Sequence, residues 1–345
     1  MEPSYKPLDT AKTYLVTGAA GFIGASLARR LLEHGCRVYG IDNLNDYYDV
    51  RLKQARLELL KPFDKFAFIQ GDIAEADLLD QTFATIRPDI VVHLAAQAGV
   101  RYSIENPSAY IQSNIIGSFN ILEACRHHPV EHLVYASSSS VYGANAKVPF
   151  AESDFVDHPL SLYAATKKSN ELMAYTYSHL YGIPATGLRF FTVYGPMGRP
   201  DMAYFSFTQK YFAHEPIRIF NNGDFAHDLY RDFTYVDDIV EGIGRLLCNA
   251  PLAAGSVPHR VFNIGNNRPE KLMVFIETLE RCLSRATGRP VVFDKVFEPL
   301  KAGDVPATYA STELLEAAVG FKPATSIETG LQRFADWYVE YYGVK

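Results

Sequence analysis

Between Thr13 and Phe191 the chain alternates short aliphatic runs with longer stretches in which apolar residues return every third or fourth position. The runs TYLVT, RVYGI, FAFIQ, DIVVHLA, EHLVYAS and PATGLRFF have the length and side chains of strands, and the stretches between them carry a helical period. Runs that are apolar at nearly every position belong to a sheet covered on both faces. The pattern predicts an α/β fold over residues 13–191: a Rossmann-like, doubly wound parallel sheet with helices on both sides.

After Tyr194 the alternation breaks at GPMGRPD, and the later segments IRIF, RDFTYVDDIVEGIGRLL, VFNIG and LMVFIETLERCLSRA are shorter and mixed. They predict a smaller, mixed α/β substrate lobe over residues 192–345, with a strand and helix within 232–265 returning to the core. A last helix is expected over IETGLQRFADWYVEYY, and residues 1–12 read as a polar tail. A chain of 345 residues has room for two lobes and a cleft, since single cores stop growing at roughly 250–300 residues.

Composition narrows the partners more than the fold. With 48% apolar and 21% charged residues the chain suits a packed globule rather than extended disorder. A net charge of -6 without a Lys/Arg block offers no footprint for nucleic acid or an anionic membrane. Cys36, Cys125, Cys248 and Cys282 are too far apart for a zinc cluster or a disulfide framework, so no metal is expected and a reducing cytoplasm fits. MEPSYKPLDTAK lacks the apolar core of a signal peptide, and no apolar run approaches the ~20 residues of a membrane helix.

Chemistry first shows in YLVTGAAGFIGASLARRLLEHG. A strand runs into Gly18, Gly21 and Gly24 at G-x-x-G-x-x-G spacing, and Phe22 and Ile23 open an amphipathic helix. Glycines permit a tight turn and close approach to a pyrophosphate, which rests on the unpaired N–H groups at the helix start. Glycine also marks plain turns. The flanking strand and helix favour a dinucleotide, as does Asp42 at the end of the next strand, 24 residues after Gly18. A carboxylate there accepts hydrogen bonds from the ribose diol of NAD and repels the extra phosphate of NADP. Asp72 and Ile73 of GDI can meet the adenine, and Leu94, Ala95, Ala96 and Gln97 can line the cofactor's other half, although both segments equally read as strand-end turns.

Tyr163 and Lys167 stand four apart in SLYAATKKSNELMAYTYSHLYG, on one face of a helix. An ammonium and an oxidised nicotinamide would pull a phenol down from its ordinary pKa of about 10, making it a general base. Among 22 tyrosines this spacing is cheap, and Tyr341 with Lys345 repeats it near the C-terminus. The glycine-rich start and the serines Ser137 to Ser140, where a buried strand ends, set Tyr163 apart.

Together these motifs resemble the extended short-chain dehydrogenase/reductase family, the NAD-dependent epimerases and dehydratases of nucleotide sugars. Within it, IDNLNDYYDVRLKQARL, SSSSVYG, LRFFTVYGPMGRPDMA, IFNNGDFAHDLYRDFTYVDDIVEG and GDVPATYA resemble the UDP-glucuronic acid 4-epimerases. The likeness spans about Thr13 to Tyr342. It implies a catalytic set of Ser138, Tyr163 and Lys167, with Asp42, Asn43 and Asn45 at the adenosine ribose and phosphate. Asn114 and Phe190 would lie along the NAD, and Arg231 and Asp304 would reach the nucleotide diphosphate and ribose of a UDP-sugar. Lys301 stands where galactose epimerases have an arginine. A homodimer through two long helices, at about residues 106–127 and 161–181, is also implied.

Dehydratases that resemble this chain carry an Asp-Glu pair immediately after the catalytic Ser/Thr, whereas here Ser139 and Ser140 follow Ser138. Hydroxyls can donate to a substrate carboxylate without repelling it. Thr192, where galactose epimerases have Asn, adds a short donor, and Arg199 can neutralise an anion or grip the diphosphate; plain polarity and a solvated charge are the bland readings of these residues. The expected activity is 4-epimerisation of UDP-glucuronate without decarboxylation. The alternatives are a neutral-hexose or N-acetylhexosamine epimerase, a decarboxylating UDP-xylose synthase, and an idle NAD-binding scaffold.

Overall fold

The carboxyl ends of parallel strands bring Gly18, Asp42, Leu94 and Ser138 onto one rim. The computed structural model describes residues 5–221, 223–224, 228–253, 255–299 and 307–344. Its first six strands are β1 (Thr13–Thr17), β2 (Arg37–Asp42), β3 (Phe66–Gln70), β4 (Ile90–His93), β5 (His132–Ser138) and β6 (Ala185–Phe190). They are followed by β7 (Thr192–Tyr194), β8 (Ile217–Ile219), β9 (Tyr230–Tyr235), β10 (His259–Ile264), β11 (Pro269–Lys271), β12 (Lys295–Phe297) and β13 (Ala307–Thr308). Seven of these make the central sheet in the order β10-β6-β5-β4-β1-β2-β3, and every neighbouring pair in it is parallel.

The order reverses between β1 and β4, and a crevice opens beyond the strand ends at such a switch. Register holds its rim level: Thr17 lies opposite His93 and Ile41, and Ser138 opposite Phe190. Both faces of the sheet are covered. Tyr14 and Val16 of β1 pack with Leu27 and Leu31 on one side, Leu15 with Phe83 and Ile121 on the other, and all are fully buried.

The remainder is the smaller mixed lobe. β9 pairs with β11 antiparallel and with β7 and β13 in parallel, while β8 pairs with β12. Within residues 232–265, β10 lies beside β6 in the central sheet, and helix Val236–Leu247 packs on helix Phe22–Glu33 through an Arg30–Glu241 ion pair. The last helix runs from Ile327 to Tyr342, its Ser326 cap accepting from Thr329 N at 3.1 Å, and it buries Phe334 and Tyr338 against Phe205. Tyr341 stacks on Trp337 with ring centroids 5.2 Å apart, so its likeness to Tyr163 is a packing coincidence. Among the described residues no helix is long and apolar enough to cross a membrane, and no cluster of His, Cys, Asp or Glu could hold a metal.

Candidate active site

The glycine-rich turn after β1 leaves no room for side chains. Gly18 has φ +72° and a Cβ there would meet Ala95 N at 2.8 Å; one on Gly24 would meet the Gly18 carbonyl oxygen at 2.0 Å. Helix Phe22–Glu33 begins at Gly21 with no side-chain cap and no acidic residue in its first turn. Its leading N–H groups thus suit an anion from outside, as a dinucleotide pyrophosphate is.

Asp42 ends β2, nearly buried, with Oδ2 accepting from Ala20 N at 3.1 Å and Oδ1 from Leu44 N at 2.9 Å. Asn43 donates to Asp72 at 2.8 Å, and Asn45 accepts from Lys53 Nζ at 2.8 Å, which places that ammonium 4.0 Å from Asp42. Burial lowers the Lys53 pKa, opposed by the charge of Asp42. Ile73, Leu94, Ala95, Ala96, Gln97 and Phe190 line the same cleft. Asn114, expected along the cofactor, meets the cleft through Gln97. Fully buried in a π-helical turn, Ile111–Gly117, it accepts from Gln97 N at 2.8 Å and donates to Gln97 O at 3.0 Å. It shapes the Gln97 loop from behind.

One cavity of about 720 Å³ runs from the glycine turn to Arg231. At its middle, Ser138 caps a short turn, Ser139–Tyr142, its Oγ accepting from Ser140 N at 3.2 Å. Helix Leu162–Tyr181, capped by Ser161, brings Tyr163 and Lys167 to face it. Lys167 is buried and donates to the Ala136 carbonyl at 3.0 Å; burial lowers its pKa to about 8. Burial raises the Tyr163 phenol, and the first opposing influences are the Ser138 hydrogen bond and the Arg199 charge. The positive ring of a bound nicotinamide would act on the phenol in the same sense as Ser138 and Arg199.

Beneath the serines, Glu171 receives Ser137 Oγ at 2.6 Å and both arms of Arg189, at 2.8 and 2.9 Å. This buried set ties β5, β6 and the Tyr163 helix together, fixing the catalytic side chains relative to one another.

Ser139, Ser140, Thr192, Arg199 and Arg231 line the far half of the cavity. Asp304 and Lys301 lie outside the described residues. Arg199 is not a lone loop charge. Its Nε and Nη2 hold Asp201 at 2.9 and 2.5 Å, and Tyr47 donates to Asp201 at 3.4 Å. Tyr47, Lys53, Arg56 and Asp201 escaped the sequence reading. Arg56, buried, donates to the carbonyls of Ala20, Met197 and Gly198 and to the Tyr48 hydroxyl. A wheel of helix Val50–Glu58 would have shown Lys53 and Arg56 on the face of Leu52 and Leu57, where apolar residues belong.

Residues 14–265 match the profile of the NAD dependent epimerase/dehydratase family. The chain belongs to that family. It is 47% identical to a probable UDP-glucuronate 4-epimerase of Rhizobium meliloti, over 95% of this chain and 97% of that one. Against UDP-glucuronate 4-epimerase 1 of Arabidopsis thaliana the identity is 48%, over 95% of this chain and 77% of the relative. Among solved structures, UDP-glucuronic acid 4-epimerase from Bacillus cereus in complex with UDP-glucuronic acid and NAD superposes with a TM-score of 0.83. That protein is 32% identical, with 96% of this chain and 100% of that one covered. The family's cofactor is NAD, and the uncapped helix start, the crowded glycines and Asp42 fit it.

Proposed function

We propose that this protein interconverts UDP-glucuronate and UDP-galacturonate by NAD-dependent 4-epimerisation without loss of carbon dioxide. The carrying observation is one continuous cavity that joins the glycine turn and Asp42 to Ser138, Tyr163 and Lys167, and these to Ser139, Ser140, Thr192 and Arg199. The relatives named above support the same substrate.

NAD, when bound, would supply a reversible hydride acceptor for sugar carbon 4. The chain's residues do the rest. Asp42 and Asn45, steadied by Lys53, hold the adenosine side, and the open N–H groups after Gly21 hold the pyrophosphate. Tyr163 Oη, as its phenolate, takes the proton of the 4-hydroxyl, with Ser138 Oγ sharing that hydrogen bond. The Lys167 ammonium, held at Ala136 O, and the positive ring of a bound nicotinamide would favour that phenolate, and the ammonium gives up its charge as pH rises past about 8. Arg231 takes the diphosphate end, with Asp304 expected at the nucleotide ribose.

The 4-keto sugar has its carbonyl beta to a carboxylate, and such acids lose carbon dioxide once the breaking bond stands perpendicular to the carbonyl plane. Ser139, Ser140 and Thr192 donate to the carboxylate and keep it from that orientation. The protein as purified, incubated with UDP-glucuronate and no added NAD, should yield the 4-epimer and no UDP-pentose. Replacing Ser139, Ser140 and Thr192 by Ala should release UDP-pentose; an unchanged product distribution would remove the clamp. Turnover of UDP-glucose alone would replace the uronate reading.

A homodimer belongs to the same proposal. Helix Leu162–Tyr181 and the segment Ile111–His127 carry Leu172, Tyr175, Leu180, Ile111, Ile116 and Phe119 at 39–60% exposure, an apolar face suited to its own copy. All four cysteines are free, which suits a reducing cytoplasm.

A further inference from the structure

We infer that Asp201 is a positioning residue that competes with the substrate carboxylate for Arg199, so that the sugar is gripped loosely enough to turn. The inference rests on the uronate reading above. Arg199 and Asp201 both line the reactive half of the cavity, at 26% and 30% side-chain exposure. Two nitrogens of the guanidinium meet two oxygens of the carboxylate, at 2.9 and 2.5 Å. This is a bidentate pair, strong and directional. It stands close enough to Tyr163 that Arg199 and Asp201 push the phenol's pKa in opposite directions.

Epimerisation sets a particular demand on such an arginine. A ring that offers first one face of carbon 4 and then the other carries its carbon 5 carboxylate along an arc relative to any fixed cation. A contact with that cation has to be made and broken within one turnover. A full, uncompensated guanidinium in a poorly solvated cavity would hold the carboxylate in whichever pose it first adopted, strengthening ground-state binding at the expense of the turn. Asp201 removes that difficulty. It takes back the guanidinium as the substrate lets go, so neither charge is left bare. Tyr47, whose hydroxyl reaches Asp201 from the loop after Asn45 at 3.4 Å, adds a long third contact to the carboxylate; its ring packs on Tyr102 at 4.7 Å. Tyr47 thereby ties the arginine's counter-ion to the loop that holds the cofactor ribose.

The test compares Asp201→Asn and Tyr47→Phe with the wild type. Steady-state kinetics and calorimetric binding of UDP-glucuronate and of UDP are measured on the protein carrying its own NAD, after thermal melting has confirmed the fold. For Asp201→Asn, KM and Kd for UDP-glucuronate should fall and kcat should fall by about five- to tenfold. Affinity for UDP, which lacks the carboxylate, should stay the same, and absorbance of reduced cofactor should rise during turnover as the unturned ketone accumulates. Tyr47→Phe should shift all four readouts the same way by a smaller factor, and carries the test if Asp201→Asn does not fold. A rise in KM in either variant would show that Asp201 merely props the arginine and would overturn the inference. If the wild type does not turn over UDP-glucuronate, the uronate reading fails first and the inference with it.

Discussion

The two halves of the cavity are built in different materials. At its pyrophosphate end the cofactor half is backbone: a glycine turn in which a single added carbon at Gly24 would sit 2.0 Å from a carbonyl, and an uncapped helix. The substrate half is side chains from scattered segments, Ser139 and Ser140 after β5, Thr192 on β7, Arg199 and Asp201 in the loop beyond, and Arg231 on β9. Backbone cannot exchange partners without unfolding locally, whereas hydroxyls and guanidinium groups can. A cofactor that stays and a sugar that turns over call for these two kinds of wall.

The comparison is broken most severely at the seam between the halves. Tyr163→Phe removes the proton acceptor and leaves the ring, so kcat should fall by about 10²–10⁴ while the cofactor remains bound. Rate and co-purified NAD content, measured on the same preparation, check both statements. A loss of NAD in step with activity would make Tyr163 part of the cofactor wall.

A second substitution sharpens the rigid half. Gly24→Val forces a branched side chain against the Gly18 carbonyl and should cost about 1–3 kcal/mol of stability together with most of the bound NAD. Thr192→Val, on the side-chain wall, should leave both nearly unchanged. Melting temperature and cofactor content decide the contrast.

The effect expected to be smallest near neutral pH concerns acid. His93, at the end of β4, is buried and neutral, with Nδ1 2.8 Å from Thr17 Oγ1 and Nε2 3.0 Å from Ser118 Oγ. Burial lowers its pKa to about 3. Because the folded value lies below the ordinary one, the unfolded chain binds a proton that the folded chain refuses. Stability should therefore be lost as pH falls from about 6.5 towards 3, by at most about 1.4 kcal/mol per pH unit. Replacing His93 with Gln should flatten the dependence of melting temperature on pH over this window.

Legibility in the sequence followed the same division. Gly18, Gly21, Gly24, Asp42, Tyr163 and Lys167 could be read because turn, strand end and helix face are local, and spacing alone sets who stands beside whom. The parallel sheet was equally readable from runs buried on both faces. The substrate wall was harder. Asp201 meets Tyr47 across 154 positions, and Arg56 reaches Met197 across 141, so no local period reports either contact. Nor does a 3.6-residue period report how Asn114 turns to Gln97, because Ile111–Gly117 is a π-helical turn.

Arg56 carries one more consequence. Its guanidinium joins the Ala20 carbonyl in the glycine turn to the Met197 and Gly198 carbonyls in the loop after β7. Separating these two loops would leave a buried charge without its carbonyl partners. The loop that carries Arg199 is accordingly moored to the turn that receives the dinucleotide, so one buried guanidinium keeps the two walls in register.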